Sequence, residues 1–156
     1  MPYTQVIEDF TDSRFQKAFI TYFSEYGIVR EDWDSLFQRM NDECENKAFA
    51  RVNDDECIIG FLQFRRIHFT SYFFETQCGF IREFWVAKEF RNRGNGTHLL
   101  NLTENYFIQH NYSASILTTD TEAQFYQRRG YWKAMGFRSK NSNEVFIKNL
   151  TRHSEK

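Results

Sequence analysis

Residues 91–96 read RNRGNG, two arginines and two glycines in six positions, and they run directly into THLLNL. Glycine lets a backbone approach a ligand without a Cβ in the way. A turn that opens a helix also offers N–H groups with no intrahelical acceptor, at the positive end of the helix dipole. Phosphates bind at such places, and Arg91 and Arg93 would add charge-assisted donors matched to phosphate oxygens. Two phosphate-loop patterns fail here. The P-loop needs G-x-x-x-x-G-K-[ST], a run the chain does not contain. The dinucleotide pattern G-x-G-x-x-G would put its third glycine where Leu99 stands, and its loop follows a first parallel strand, whereas this one comes late in a series of antiparallel-looking strands. The stretch reads as a pyrophosphate cradle of another kind.

Glu83 is the second residue with chemical promise. Its stretch, GFIREFWV (79–86), carries large apolar residues on both parities, Ile81 and Trp85 on one and Phe80, Phe84 and Val86 on the other. That marks a strand buried on both faces, where a carboxylate is costly unless it is paired or used. Three readings stay open: a general base, a carboxylate facing a water-filled cleft, or a partner for an arginine on the next strand, Arg65 or Arg66. Arg82 is equally out of place in such a strand. Metal chemistry is not expected, because His68, His98, His110 and His153 show no ligand spacing. Cys44, Cys57 and Cys78 are an odd number at wide spacings and read as reduced core thiols.

The elements that would position these groups follow from periodicity. One helix is expected from about Ser13 to Tyr26, with Asp12 or Ser13 as N-cap and Gly27 as the stop, and a second from about Glu31 to Asp42, where Trp33, Leu36, Phe37 and Met40 share a face. The period then changes to that of strands in KAFARV, CIIGFLQF, an aromatic stretch around FTSYFFE, and GFIREFWV, with NDDE as an antiparallel turn between the first two. After RNRGNG come a helix, SASILTT as a short strand, a helix through EAQFYQRR, and EVFIKNL as a last strand. The fold class is therefore mixed, α+β or α/β, around one sheet.

Size and composition fit this frame. The 156 residues suit one domain, and with 41% hydrophobic and 19% aromatic residues, including 18 phenylalanines, general disorder is excluded. No stretch approaches the roughly 20 apolar residues of a membrane span, and MPYTQVIEDF lacks the layout of a signal peptide, so a cytoplasmic protein without membrane attachment is expected. The formal net charge of −1 hides an asymmetry: residues 1–60 hold 13 acidic and 6 basic side chains, residues 61–156 hold 8 and 14. Solvated helix faces account for such a split as readily as a ligand does.

The stretch V-A-K-E-F-R-N-R-G-N-G (86–96) resembles the R/Q-x-x-G-x-G/A acyl-CoA pyrophosphate loop of the GNAT superfamily of N-acetyltransferases, which follows a strand ending in Val. FYQRRGY (125–131) is similar to that family's F-Y-x-x-x-G-[FY] helix end, and the order of elements over residues 3–150 is similar to its topology. The resemblance implies one GNAT domain over residues 1–150 with a polar tail at 151–156. The implied sheet is largely antiparallel, has one splayed strand pair and is flanked by helices.

It also implies roles. Acetyl-CoA would be the acyl donor, its pantetheine lying along the strand segment Phe84, Trp85 and Val86 through main-chain groups, with the Phe84 amide polarising the thioester carbonyl. Residues Arg91, Asn92, Arg93, Gly94, Asn95, Gly96 and Thr97 would hold the pyrophosphate. Phe125 and Tyr126 would line the far side of acetyl-CoA, and Asp120 stands near where the family often has Asn. An alkylamine with a pKa of about 10.4 is only about 0.04% neutral at pH 7, a handicap of about 4.6 kcal/mol. A base must take its proton, and Glu83 matches the acidic residue many members keep there. Tyr126 occupies the position of the general acid that protonates the leaving thiolate.

The family transfers the acyl group directly within a ternary complex, so no cysteine nucleophile is required. The two early helices usually wall the acceptor side, and here they carry much of the acidic half. A cationic amine is therefore expected, such as a polyamine, an aminoglycoside, a lysine side chain or a protein N-terminus, with Trp33 and Tyr22 placed for cation–π contact. Nucleic acid is not an expected partner, since the basic residues at the loop and at Arg128, Arg129, Lys133, Arg138 and Lys140 more simply surround one CoA. The alternative function is a non-catalytic acyl-CoA sensor. A homodimer is the expected assembly, with FTSYFFE either a partner surface or a central strand.

Overall fold

The computed structural model describes residues 1–43 and 45–150. Cys44 and the tail at 151–156 lie outside the described residues. Among the described residues seven strands form one sheet, in the order β1 (Tyr3–Ile7), β2 (Lys47–Val52), β3 (Ile58–Ser71), β4 (Phe74–Val86), β5 (Ala114–Thr119), β7 (Glu144–Asn149) and β6 (Trp132–Lys133), and two compact units can be described in turn.

The first unit comprises Met1–Phe64 and Glu83–Thr103. It opens with β1 (Tyr3–Ile7), an element the sequence pattern did not reveal, antiparallel to β2 (Lys47–Val52) from Tyr3↔Val52 to Ile7↔Ala48. Of its five residues only Ile7 is buried, so no apolar alternation marks it. Helix α1 (Ser13–Ser24) starts where Asp12 accepts hydrogen bonds from the Arg14 and Phe15 amides at 2.9 and 3.3 Å, which selects Asp12 over Ser13 as the N-cap. The chain leaves the helix through Gly27 at φ +72°, a conformation that costs glycine nothing. Helix α2 (Trp33–Asp42) follows.

β2 alternates, burying Ala48, Ala50 and Val52, and pairs antiparallel with β3 (Ile58–Ser71). The turn between them is built by Asn53, whose side chain accepts from the Asp55 and Cys57 amides at 3.0 and 2.9 Å. Cys57 is exposed in that turn, which corrects its reading as a core thiol; Cys78 is buried as expected. The core is aromatic: Phe15 meets Phe10 and Phe61 at 5.1 Å between centroids, and Phe19 meets Phe37 at 5.4 Å. Edge-on contacts of this kind add to the area term of each buried ring.

The second unit comprises Arg65–Arg82 and the residues from Glu104 onward. FTSYFFE is not a strand of its own. β3 runs through to Ser71 and β4 (Phe74–Val86) begins three residues later, with Tyr72 at φ +52° in the reversal. Phe69, Tyr72, Phe73 and Phe74 are exposed there, which removes the central-strand reading. β4 pairs parallel with β5 (Ala114–Thr119) over Cys78–Phe80. Gly79 is required at this place, since a Cβ would lie 2.2 Å from Cζ of Phe107 on helix α3 (Asn95–Gln109). β5 pairs antiparallel along its length with β7 (Glu144–Asn149), and helix α4 (Ala123–Gln127) precedes the two-residue β6 (Trp132–Lys133), which was too short to be read from sequence.

Candidate functional site

In the first unit the site is built at the C-terminal end of β4, the loop after it and the first turn of α3. Ala87 stays in contact with β3, its amide donating to the Ile59 carbonyl at 2.8 Å. Beside it Gly60 keeps β3 close, because a Cβ there would sit 3.1 Å from the Trp85 carbonyl oxygen. One turn of 3-10 helix (Lys88–Phe90) follows. The chain then reverses through Asn92 at φ +61° and Gly94 at φ +85°. A Cβ on Gly94 would meet open space, so it is backbone conformation that selects glycine there. The Gly94 carbonyl accepts the His98 amide at 2.9 Å, which starts α3, and its first turn contains no acidic residue. The positive end of the helix thus meets exposed Arg91, Asn92 and Arg93.

Asn95 holds this loop in shape. It is 8% exposed, donates to the Phe90 carbonyl at 3.0 Å and accepts from Arg51 Nε at 3.2 Å. Arg51 also donates to Thr4 Oγ1, which lies 3.0 Å from His98 Nε2. His98 is therefore turned to β1, and burial, then the Arg51 charge, holds its pKa below the usual 6.5. Gly96 and Thr97, half-buried, complete the turn. Thr4 and Arg51, far away in sequence, carried no signal that they would brace this loop.

The side chains around Glu83 were equally hidden. Tyr22 on α1 donates from its hydroxyl to Glu83 Oε1 at 3.0 Å, while its ring meets Phe61 edge-on at 5.9 Å. One helical turn on, Glu25 accepts from the Trp85 indole and from Arg91, each at 3.2 Å. Arg91 Nε donates to the Val86 carbonyl at 2.7 Å, so its guanidinium ties strand end to helix end. Arg93 lies over Phe90 instead, 5.5 Å from the ring centroid. Glu83, Phe84 and Val86 are half-buried and Trp85 is buried. Trp33 stacks on Phe37 and has Arg30 5.8 Å from its own ring centroid, so this ring already holds a cation of the protein.

In the second unit, α4 carries Phe125 and Tyr126. Asp120 is exposed just past β5, and the Glu122 amide donates to Thr119 Oγ1 at 3.1 Å at the start of the helix. Phe125 lies under Arg129, whose Cζ is 3.7 Å from the ring centroid and whose Nη1 donates to the Phe125 carbonyl at 2.8 Å. Tyr126 is 7% exposed and lies edge-on to Phe125 at 5.2 Å and to Tyr131 at 5.6 Å. Gly130, at φ +93°, turns the chain so that the Tyr131 amide reaches the Tyr126 carbonyl at 3.1 Å. The Tyr131 hydroxyl lies 2.9 Å from Glu104 Oε2 and 2.7 Å from Ser115 Oγ, and Lys148 reaches Glu104 Oε1 at 2.8 Å. Burial, then the Glu104 charge, pushes the Tyr131 phenol far above its ordinary value.

Among the described residues no group of three or more His, Cys, Asp or Glu could hold a metal ion, and no helix is long and apolar enough to cross a membrane.

A family model described as the Acetyltransferase (GNAT) family matches residues 5–137. Comparison with curated protein sequences finds no match. Solved structures resemble the chain over nearly its whole length. A GNAT-family acetyltransferase from Staphylococcus aureus Mu50 superposes with a TM-score of 0.71 at 15% identity, covering 96% of this chain and 100% of its own. Arabidopsis thaliana NAA60 in complex with acetyl-CoA gives 0.70 at 15%, covering 96% and 99%. The NatC complex bound to Gag peptide and CoA gives 0.71 at 13%, covering 96% and 99%. At these identities the likeness establishes the fold.

Proposed function

Because the chain belongs to the GNAT family of acetyltransferases, we propose that it transfers the acetyl group of acetyl-CoA directly to a primary amine within a ternary complex, in one catalytic domain over residues 1–150. The observation that carries this reading is the loop at 91–97: a positive-φ glycine with open space beside it, an acid-free first helical turn and exposed arginines fit a diphosphate. The complexes of NAA60 with acetyl-CoA and of NatC with CoA support the same donor.

When bound, acetyl-CoA supplies the activated thioester. Glu83 takes the proton of the attacking amine, the Phe84 amide donates to the carbonyl oxygen that gains charge, and Tyr126 gives its phenolic proton to the departing sulfur. Val86 and Trp85 contribute the strand along which the pantetheine arm lies. The acceptor is a cationic amine. The acidic residues around the end of α1 and the start of α2, Glu25, Glu31, Asp32 and Asp34, favour it, and NAA60 bound to a bisubstrate analogue and NatC bound to a peptide make a protein N-terminus the first acceptor to try. A cytoplasmic setting belongs to this reading and is supported by free thiols at Cys57 and Cys78. A homodimer joined through the exposed aromatic hairpin tip belongs to it as well, and sedimentation of Phe73→Ser checks that.

The test is thermal unfolding with and without acetyl-CoA, beside a 3′-dephospho-CoA control. At about 100 times the dissociation constant the donor should add about 2.7 kcal/mol. Gly94→Val, which puts a β-branched side chain at φ +85°, should abolish the shift. No shift for the unaltered protein at millimolar acetyl-CoA overturns the reading.

A further inference from the structure

Tyr22 on α1 and Glu25 at the C-cap of that helix are three apart and face the same way; Glu83 and Trp85 are two apart on β4 and do likewise. The two spacings meet. The Tyr22 hydroxyl donates to Glu83 Oε1 at 3.0 Å, and the Glu25 carboxylate receives the Trp85 indole and the Arg91 guanidinium at 3.2 Å each. Arg91 returns to the strand through the Val86 carbonyl at 2.7 Å. Helix and strand are thus fastened at successive positions on each, around the carboxylate that the proposed function makes the base.

The Tyr22 ring is itself held on three sides, edge-on to Phe23 at 4.9 Å, Tyr26 at 5.4 Å and Phe61 at 5.9 Å. Its hydroxyl therefore comes from a fixed direction. A hydrogen bond to a carboxylate favours its charged form and fixes its rotamer. Both are what a base must have before the amine arrives.

We propose that Tyr22 is a positioning residue for Glu83, keeping its carboxylate ionised and aimed, and that the Glu25–Trp85–Arg91 contact sets the helix register that puts Tyr22 there. This rests on Glu83 being the base. It gives Arg91 a second task beside the phosphate loop, joining the donor end of the site to the helix that presents the tyrosine.

The test uses the full chain as wild type, Tyr22→Phe, Glu83→Gln and the double variant. Tyr22→Phe keeps the ring and its packing, and a thermal midpoint near that of wild type confirms folding. With the fastest acceptor among spermidine, kanamycin and a free-N-terminal peptide, Tyr22→Phe should lower kcat about tenfold with the acetyl-CoA KM unchanged, as expected for losing one hydrogen bond to a charged group. In the Glu83→Gln background the same change should add nothing.

A second readout needs no acceptor: carbon NMR of labelled glutamate should show the Glu83 carboxyl titrating at higher pH in Tyr22→Phe than in wild type. Glu25 and Arg91 on the facing helix end and the loop, Arg82 beside Glu83 on β4, and Arg65 and Arg66 on β3 are unchanged between the two proteins and cancel in that difference. An unmoved titration of the Glu83 carboxyl, or equal losses of kcat in both backgrounds, overturns the inference while leaving Glu83 as base. Full kcat in Glu83→Gln overturns both.

Discussion

Each unit contains a tyrosine hydroxyl bonded to a glutamate, Tyr22 with Glu83 at 3.0 Å and Tyr131 with Glu104 at 2.9 Å. The two pairs differ in their surroundings. Glu104 is 8% exposed, receives Lys148 at 2.8 Å, and has a tyrosine whose proton is locked by burial and by the carboxylate's own charge. That is a closed network, in which breaking one member leaves buried partners unsatisfied. Glu83 is half-buried near the end of a strand, between Arg82 and Phe84, which are half-buried as well. Under the proposed function the same two side chains make a strut in one place and a tool in the other, and the depth of burial separates them.

Substitution should pull the two apart. Glu83→Gln should lower kcat at least about a hundredfold with the thermal midpoint nearly unchanged, and Tyr126→Phe should lower kcat while acetyl-CoA still raises the midpoint. Glu104→Gln should do the reverse, costing about 2 kcal/mol of stability by taking a charged acceptor from Tyr131 and Lys148, with kcat of the folded fraction retained. Denaturant unfolding beside steady-state kinetics reads both. If Glu104→Gln lost kcat without losing stability, the contrast would collapse.

The smallest effect concerns His98. Its pKa is held below 6.5 in the folded protein, so the unfolded chain binds the extra proton first. Stability from this site is complete above pH 6.5 and is lost as pH falls from there toward the folded value. His98→Gln should therefore flatten the stability profile slightly just below pH 6.5, as urea titrations at several pH values would measure. A profile unchanged by the substitution would show that the Thr4 contact does not titrate.

Much of the frame was legible because it obeys strong local rules. Asp12 and Gly27 bracket α1, alternation marks β2, and Gly94 announces the turn into α3, as their caps, burial and φ values bear out. The errors lie where a local rule had nothing to act on. β1 is an edge strand with one buried residue, and the aromatics of FTSYFFE have the composition of a strand while Tyr72 turns the chain back in the middle of them.

The site shows the same division. RNRGNG and FYQRRGY are contiguous and could be recognised; the partners of Glu83 and Asn95 could not. Tyr22 is 61 residues from Glu83, and Arg51 is 44 from Asn95. Such pairs exist only once helix and sheet have packed.

The hydrogen bond from Trp85 to Glu25 gives the protein an optical handle. Of the three tryptophans, Trp132 is half exposed and Trp33 sits beneath Arg30, whereas Trp85 is buried with its indole N–H directed at a carboxylate on the neighbouring helix. Excited beyond the tyrosine absorption, a chain carrying Trp33→Phe and Trp132→Phe would fluoresce from this one ring, on the strand where the thioester is proposed to lie. Quenching or a change of emission colour would then follow the joint between α1 and β4 in real time, without a label.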